Sequence, residues 1–141
     1  MFNQLDKFKE KGNFIFSTKD KLSVVCTAPN HCSGIYLIYA LTNGKKELIY
    51  IGISGRKGID GNIIHRKDGL RGRFLTGKQF GDRRQITWPK QMHTDKIEAL
   101  DIHWYVTHGE FDKDIPRDLE VRLLNKFRET YGVLPKWNKE I

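Results

Sequence analysis

The stretch GIYLIYALTNGKKELIYIG, residues 34–52, decides the fold. Its two halves are rich in aliphatic and aromatic residues, which is typical of β-strands, and Asn43-Gly44 lies between them. Asn-Gly favours the positive φ angles of a two-residue hairpin turn. The sequence therefore predicts a β-hairpin over these residues.

The chain after the hairpin alternates between loops and regular segments. Residues 53–67 are rich in glycine and charge and predict a surface loop, and a short helix is predicted to begin at Asp68. Apolar residues alternate with polar ones over 100–107, which predicts a half-buried strand. Pro116 suits the first turn of a helix that Gly132 ends. We expect an α+β fold: a small mixed or antiparallel three-stranded sheet, made of the hairpin plus the later strand, flanked by helices.

The first 33 residues carry weaker signals. Residues 5–11 predict a short amphipathic helix, and the apolar patches at 14–16 and 22–25 predict one or two strands. The chain contains no internal repeat and no linker composition. We therefore expect one domain over residues 1–141, with residues 1–33 as an N-terminal extension of a core formed by residues 34–138.

The composition indicates which kind of partner and which cellular compartment to expect for the protein. Lys and Arg number 25 against 17 Asp and Glu, which gives a formal net charge of +8 among 141 residues. This balance favours a polyanionic partner, whereas the 38% hydrophobic content excludes a disordered basic tail. We expect no membrane span, no signal peptide and a cytoplasmic protein. The two cysteines are expected to be reduced, because no secretion signal is recognised; a zinc site with His31 and His65 is not expected, because the spacing matches no usual ligand pattern.

One carboxylate lies on the apolar side of the helix that follows Pro116. At about 100° per residue, Glu120 falls in the middle of a stripe formed by Leu119, Leu123, Leu124, Phe127 and Tyr131. A buried carboxylate has to be paired, hydrogen-bonded or bound to a metal, because an isolated buried charge costs several kcal/mol. A salt bridge to a nearby Arg or Lys and a metal site both remain open.

Several short motifs occur in the order found in one enzyme family. Residues 34–36 (Gly-Ile-Tyr) and 50–52 (Tyr-Ile-Gly) resemble the two halves of the signature of GIY-YIG endonucleases. Residues 70–74 resemble the family's Leu-x-x-Arg-Leu helix segment, and residues 135–138 resemble its terminal Pro-x-x-Asn element. Glu120 stands where the family places a metal-binding Glu on a later helix. The resemblance covers about three quarters of the chain.

The resemblance implies a metal-dependent enzyme that hydrolyses DNA phosphodiester bonds. By the resemblance, Glu120 holds one Mg²⁺ or Mn²⁺, Arg73 stabilises the phosphate, and Tyr50 or Tyr36 activates the attacking water. Carboxylate oxygen suits these cations, and the planar, permanently charged guanidinium suits a phosphate. A phenol has an ordinary pKa of about 10, so forming the phenolate at pH 7 costs roughly 4 kcal/mol. We therefore expect the activity to rise with pH on the alkaline side of neutrality.

Two positions depart from the family pattern. Gly77 stands where many members have His or Tyr four residues after the Arg, and Ile53 stands where some have Lys. The residues that could supply the missing roles are His65, Lys57 and Lys78. Arg71 is the alternative to Arg73 as the active arginine.

The hairpin carries a geometric condition of its own. A plain two-residue turn would pair Thr42 with Lys45, and Tyr36 and Tyr50 would then point to opposite faces of the sheet. Both tyrosines can reach one site only if the loop has odd length or one strand contains a bulge. We predict such an irregularity.

A second basic segment, residues 78–92, places its charges around Phe80 and Trp88. This pattern suits phosphate contacts with aromatic stacking, although a solvated basic loop with Trp88 in the core fits it equally. The candidate DNA-contacting residues are Arg71, Lys78, Arg83, Arg84, Lys90 and Asn138. The alternative function is a non-catalytic nucleic-acid-binding module on the same fold. One active site cuts one strand, so a double-strand break would need a homodimer or two successive nicks.

Overall fold

The computed structural model describes residues 2–141, and within them the chain forms an α+β fold around an antiparallel sheet. The strands are β1 (Lys11–Ser17), β2 (Ser33–Thr42), β3 (Lys45–Ser54), β4 (Arg56–Lys57), β5 (Ile63–Ile64), β6 (Lys78–Gln79), β7 (Asp82–Arg83) and β8 (Ala99–His108). The helices are α1 (Leu22–Val25), α2 (Gly69–Thr76), α3 (Arg84–Asp95) and α4 (Pro116–Tyr131), preceded by a 3₁₀ turn at Asn3–Lys7.

The main sheet has the strand order β1-β8-β2-β3, with every neighbouring pair antiparallel. The predicted hairpin and later strand are confirmed as β2, β3 and β8. The prediction of three strands is one short, because β1 from the N-terminal extension adds a fourth strand within the described residues. Only Phe14 and Phe16 are buried along β1, so the strand signal there is brief. The second apolar patch, residues 22–25, forms α1 rather than a strand.

The hairpin contains both the predicted turn and the predicted irregularity. Asn43 and Gly44 have φ angles of 50° and 75°, as a turn of the predicted type requires. The register shifts between Ile38 and Tyr39, so that Ile38 pairs with Tyr50 whereas Tyr39 pairs with Leu48. The unpaired residue between them is a β-bulge, and it turns Tyr50 onto the face of the sheet that Tyr36 occupies. The prediction of a bulge is confirmed.

Both faces of the sheet are covered. Helices α1 to α3 pack on one face over a cluster that includes Phe14, Tyr36, Ile38, Phe74 and Trp88. Helix α4 and the residues around the 3₁₀ turn pack on the other face, over a cluster that includes Leu5, Phe8, Ile35, Leu37, Ile51, Leu119 and Leu123. The N-terminal residues thus contribute to the sheet and to both clusters.

The boundaries of α2 and α4 agree with the sequence prediction. Asp68 precedes α2 and Gly77 follows it, while α4 begins at Pro116 and is followed by Gly132 in the left-handed conformation (φ 78°). Proline is tolerated in a first helical turn because its missing N–H would be unpaired there. Both helices therefore present the residues that the motifs assigned to them.

The second basic segment is not a loop. Residues 78–83 form the small β6–β7 hairpin, and Arg84 begins α3, which contains Pro89. Trp88 is fully buried, so the aromatic ring is in the core and is not available for base stacking. The sequence left open whether this segment stacks its aromatic residues on DNA or forms a basic loop with Trp88 in the core. The structure buries Trp88 in the core, but on a helix and not in a loop.

Two expectations from composition can be compared with the described residues. Cys26 and Cys32 are free thiols. Within residues 2–141, the helices are too short or too polar to cross a lipid bilayer.

Candidate active site

The two motif tyrosines meet above the neighbouring strands β2 and β3. The rings of Tyr36 and Tyr50 lie with centroids 6.0 Å apart, over Gly52 of β3. A Cβ atom at position 52 would lie 2.4 Å from Tyr36 Cζ and 2.6 Å from Tyr50 Cε2. A larger residue at position 52 would therefore push the rings apart, which explains why Tyr-Ile is followed by Gly.

Arg73 of α2 lies beside both phenols. Its neighbour Phe74 packs against Tyr36 with ring centroids 4.6 Å apart, which fixes the helix over the tyrosines. The adjacent Tyr36 raises the pKa of Arg73, with burial acting in the opposite direction. Arg73 also lines a cavity of about 410 Å³ together with Ser54, His65 and Arg66. The arginine is thus held between the tyrosines and an open cavity.

Arg84 is the residue whose position differs most from the prediction. Its side chain is fully buried, with Nη2 donating to Tyr36 Oη (2.9 Å), Nη1 to the Arg73 carbonyl (2.7 Å) and Nε to Gln79 Oε1 (3.3 Å). Burial lowers its pKa. The prediction that Arg84 contacts DNA is wrong, because a buried guanidinium with all three nitrogens bonded has no surface left for a phosphate. It positions Tyr36 instead.

Arg84 also explains the departure at Gly77. A Cβ at position 77 would lie 2.6 Å from Arg84 Nη1 and 2.3 Å from the Arg73 carbonyl oxygen. The space that a His or Tyr side chain would need is therefore occupied by the guanidinium. A side chain at position 77 is therefore incompatible with the observed position of Arg84.

Glu120 approaches from α4, on the far side of β3. It is 9% exposed, and Arg117 Nη1 donates to its Oε1 at 2.5 Å. Burial raises the pKa of Glu120, against the opposing effects of Arg117 and Arg73. The sequence predicted that Glu120 is buried and left a salt bridge or a metal site open as its partner. The structure contains the salt bridge, which is made with Arg117. Glu120 and Tyr50 line a common cavity of about 410 Å³.

Tyr50 is the more accessible of the two phenols. Tyr36 is fully buried, whereas Tyr50 is partly exposed in the cavity that it shares with Glu120. The pKa of Tyr50 is raised, first by the neighbouring Tyr36 and then by burial, and Arg84 and Arg73 act to lower it. Forming a Tyr50 phenolate therefore requires additional positive charge at the site.

Two residues predicted to contact DNA, Arg71 and Asn138, make hydrogen bonds within the protein. Arg71 donates from Nη1 to the Cys26 carbonyl (2.9 Å) and from Nη2 to the Ser23 carbonyl (2.7 Å), which ties α2 to α1. The Asn138 side-chain amide pairs with both the N–H and the C=O of Ile51, at 2.9 and 3.0 Å. Asn138 thus acts as an extra strand residue along the edge of β3. Arg73, and not Arg71, is the arginine beside the tyrosines.

The remaining predicted cations are exposed. Lys78, Arg83 and Lys90 lie on the surface and are available to a phosphate. Among the residues considered for the missing roles, His65 lines the cavity of Arg73, and its Nδ1 lies 2.7 Å from Ser33 Oγ. Lys57 is exposed on β4.

Two other features contain none of these residues. A cavity of about 860 Å³ lies against the opposite face of the sheet and is lined in part by Leu37, Tyr39 and Tyr105. Glu10, His31 and Cys32 bring their potential metal-ligating atoms within 4.8 Å of one another. Neither feature includes Glu120, the residue predicted to bind a metal.

Comparison with known proteins adds no relative. No protein-family model, no curated protein and no solved structure matches this chain. The resemblance to GIY-YIG endonucleases therefore stays a prediction from the motifs.

Proposed function

We propose that the protein is a metal-dependent endonuclease that hydrolyses DNA phosphodiester bonds in the manner of the GIY-YIG endonucleases. The observation that carries the proposal is the β-bulge between the pairs Ile38–Tyr50 and Tyr39–Leu48. The Asn-Gly turn needs no bulge, and without it Tyr50 would point away from Tyr36 and Arg73. Bulges next to active sites commonly re-aim a side chain.

The residues divide the work according to their exposure. Arg73 faces a cavity and offers its fork of donors to a phosphate oxygen, where added negative charge develops during hydrolysis. Tyr50 reaches the other cavity and orients or deprotonates the attacking water. Tyr36 is fully buried and fixed by Arg84, so its phenol supports Tyr50 from within and does not meet bulk water.

Glu120 fits a divalent cation of the Mg²⁺ type. Such a cation usually keeps several waters and needs only one or two protein carboxylates, and the cavity of about 410 Å³ beside Glu120 leaves room for those waters. Arg117 bonds to Oε1, so it would have to share or release that oxygen. When bound, the cation supplies charge neutralisation at the phosphate and a lowered pKa for water.

The same salt bridge favours the alternative, a non-catalytic nucleic-acid-binding module. A carboxylate satisfied by Arg117 at 2.5 Å has less need of a metal, and the raised pKa of Tyr50 opposes its use as a base. In that case the exposed cations would hold nucleic acid without cutting it.

A plasmid-nicking assay with Mg²⁺ separates the two functions. We expect Glu120→Gln to lower the nicking rate by about 100-fold or more while DNA binding persists, because the loss of the metal ligand affects the transition state. Glu129→Gln is the matched control, since Glu129 is exposed on the same helix and should nick at the wild-type rate. Binding by the wild-type protein without Mg²⁺-dependent nicking would instead establish the binding module.

A further inference from the structure

The β4–β5 hairpin displays an apolar residue at its tip. The Gly58 N–H donates to the Asn62 carbonyl (2.7 Å), and the Gly61 N–H donates to the Gly58 carbonyl (3.0 Å), which closes a tight turn. Asp60 accepts two further bonds from Asn62. Ile59 occupies this ordered turn with its side chain fully exposed (111%).

An isoleucine has no local reason to occupy this position. Tight turns favour Gly, Pro, Asn, Asp and Ser, each for its own backbone or hydrogen-bonding reason, and a β-branched apolar residue offers none of these. The next most exposed large apolar residue among those described, Val24, is 75% exposed. Ile59 is therefore the most exposed large apolar side chain among the described residues.

The charges around this tip are positive. Arg56, Lys57, Arg66 and Lys67 flank it, against Asp60 within the turn. Arg56 and Arg66 also line the cavity into which Arg73 opens. The base of the hairpin thus lines the same cavity as Arg73 of the candidate active site.

We propose that the β4–β5 hairpin enters the minor groove of duplex DNA and inserts Ile59 between two neighbouring base pairs. This inference rests on DNA being the substrate of the proposed function. Apolar wedges of this kind unstack a base step and kink the duplex, while flanking cations hold the phosphates on either side.

The wedge also supplies a source of selectivity that needs no base-specific contact. Pyrimidine–purine steps unstack more easily than others, so they would be favoured at the inserted position. The minor groove of an RNA duplex is wide and shallow, and its geometry does not suit a narrow wedge. Duplex DNA is therefore the expected partner.

The test measures binding and bending of an end-labelled DNA duplex of about 25 base pairs by energy transfer between its ends. The parent protein carries Glu120→Gln so that the duplex stays intact, and Ile59→Ala is added to it. We expect binding to weaken about tenfold and the bend to disappear, with the salt dependence of binding unchanged, because no charge is removed. Val24→Ala, which removes a similar exposed apolar surface on α1, should bind and bend as the parent does.

The outcomes distinguish this inference from the proposed function. Bending that depends on Ile59, in a protein whose wild type does not nick plasmids, would support the wedge and refute the nuclease. Normal nicking together with an unaltered bend after Ile59→Ala would refute the wedge alone. Equal effects of Val24→Ala, or equal dependence on Ile59 with an RNA duplex of the same sequence, would also overturn it. Absence of any DNA binding would overturn both proposals.

Discussion

Residues 53–67 and 78–92 contain similar proportions of Lys and Arg, but the structure exposes the first segment and buries part of the second. The first segment projects outward as the β4–β5 hairpin and leaves its charges and Ile59 exposed. The second turns inward, because Arg84, Trp88 and Met92 follow one another at four-residue intervals and are all buried. Three glycines in the first segment offer no comparable apolar face. Charge content alone therefore does not identify a nucleic-acid-binding surface. The spacing of the residues that pack into the core decides which of the remaining side chains are accessible.

The largest effect expected from this difference is on stability, at two adjacent arginines. Arg84→Ala should lower the free energy of unfolding by about 3 kcal/mol, because it leaves a cavity in the core and removes the buried hydrogen bond to Tyr36 Oη. For a domain of this size, the melting temperature should fall by about 10 °C. Arg83→Ala, at an exposed neighbouring position, should stay within about 0.5 kcal/mol of wild type. Thermal unfolding followed by circular dichroism measures both, and equal stability of the two variants would contradict the inward role.

The second-largest effect is expected on the pH dependence of nicking, which is set around Tyr50 and does not involve the outer hairpin. The pKa of Tyr50 is raised above its ordinary value, so below that pKa the phenolate fraction rises tenfold per pH unit. Single-turnover nicking should therefore rise about 100-fold between pH 7 and 9, without a plateau. Tyr50→Phe should flatten the profile, and Lys57→Ala on the outer hairpin should keep its slope. A wild-type rate independent of pH would rule out a tyrosine base.

The smallest effect is expected on the salt dependence of DNA binding. Lys57→Ala and Arg83→Ala each remove one exposed cation, so each should reduce the slope of log affinity against log salt by about 1, if one phosphate is lost. Arg84→Ala, measured well below its melting temperature, should leave the slope unchanged, because its guanidinium is buried. Fluorescence anisotropy over a range of salt concentrations gives these slopes. If Arg84→Ala changed this slope as much as Lys57→Ala does, the two segments would not differ in their access to DNA.

Features specified by local chemistry could be predicted from the sequence. Asn43-Gly44 predicts the turn, Pro116 and Gly132 bound α4, and the position of Glu120 on its helix predicts its burial. The bulge could be predicted because two tyrosines had to share one face. Its location could not, since any residue of either strand could have been the extra one; the structure places it at Ile49, whose side chain is buried.

Features specified by distant contacts could not be predicted. Helix α3 contains Pro89 and the β-branched pair Ile86-Thr87, which disfavour helix, and it is held by the tertiary packing of Trp88. The role of Arg84 depends on its bond to Tyr36, 48 positions away, and no spacing in the sequence brings these two residues together. The pairing of Asn138 with Ile51 likewise spans 87 positions.

The bulge has a consequence for how such a hairpin can change length during evolution. Inserting or deleting a single residue between Tyr36 and Tyr50 would send one tyrosine to the opposite face, whereas a change of two residues would preserve the pair. A single-residue change survives only if a bulge is gained or lost at the same time. Divergence should therefore lengthen or shorten this hairpin in steps of two residues, with the presence of a bulge alternating between spacings that differ by one.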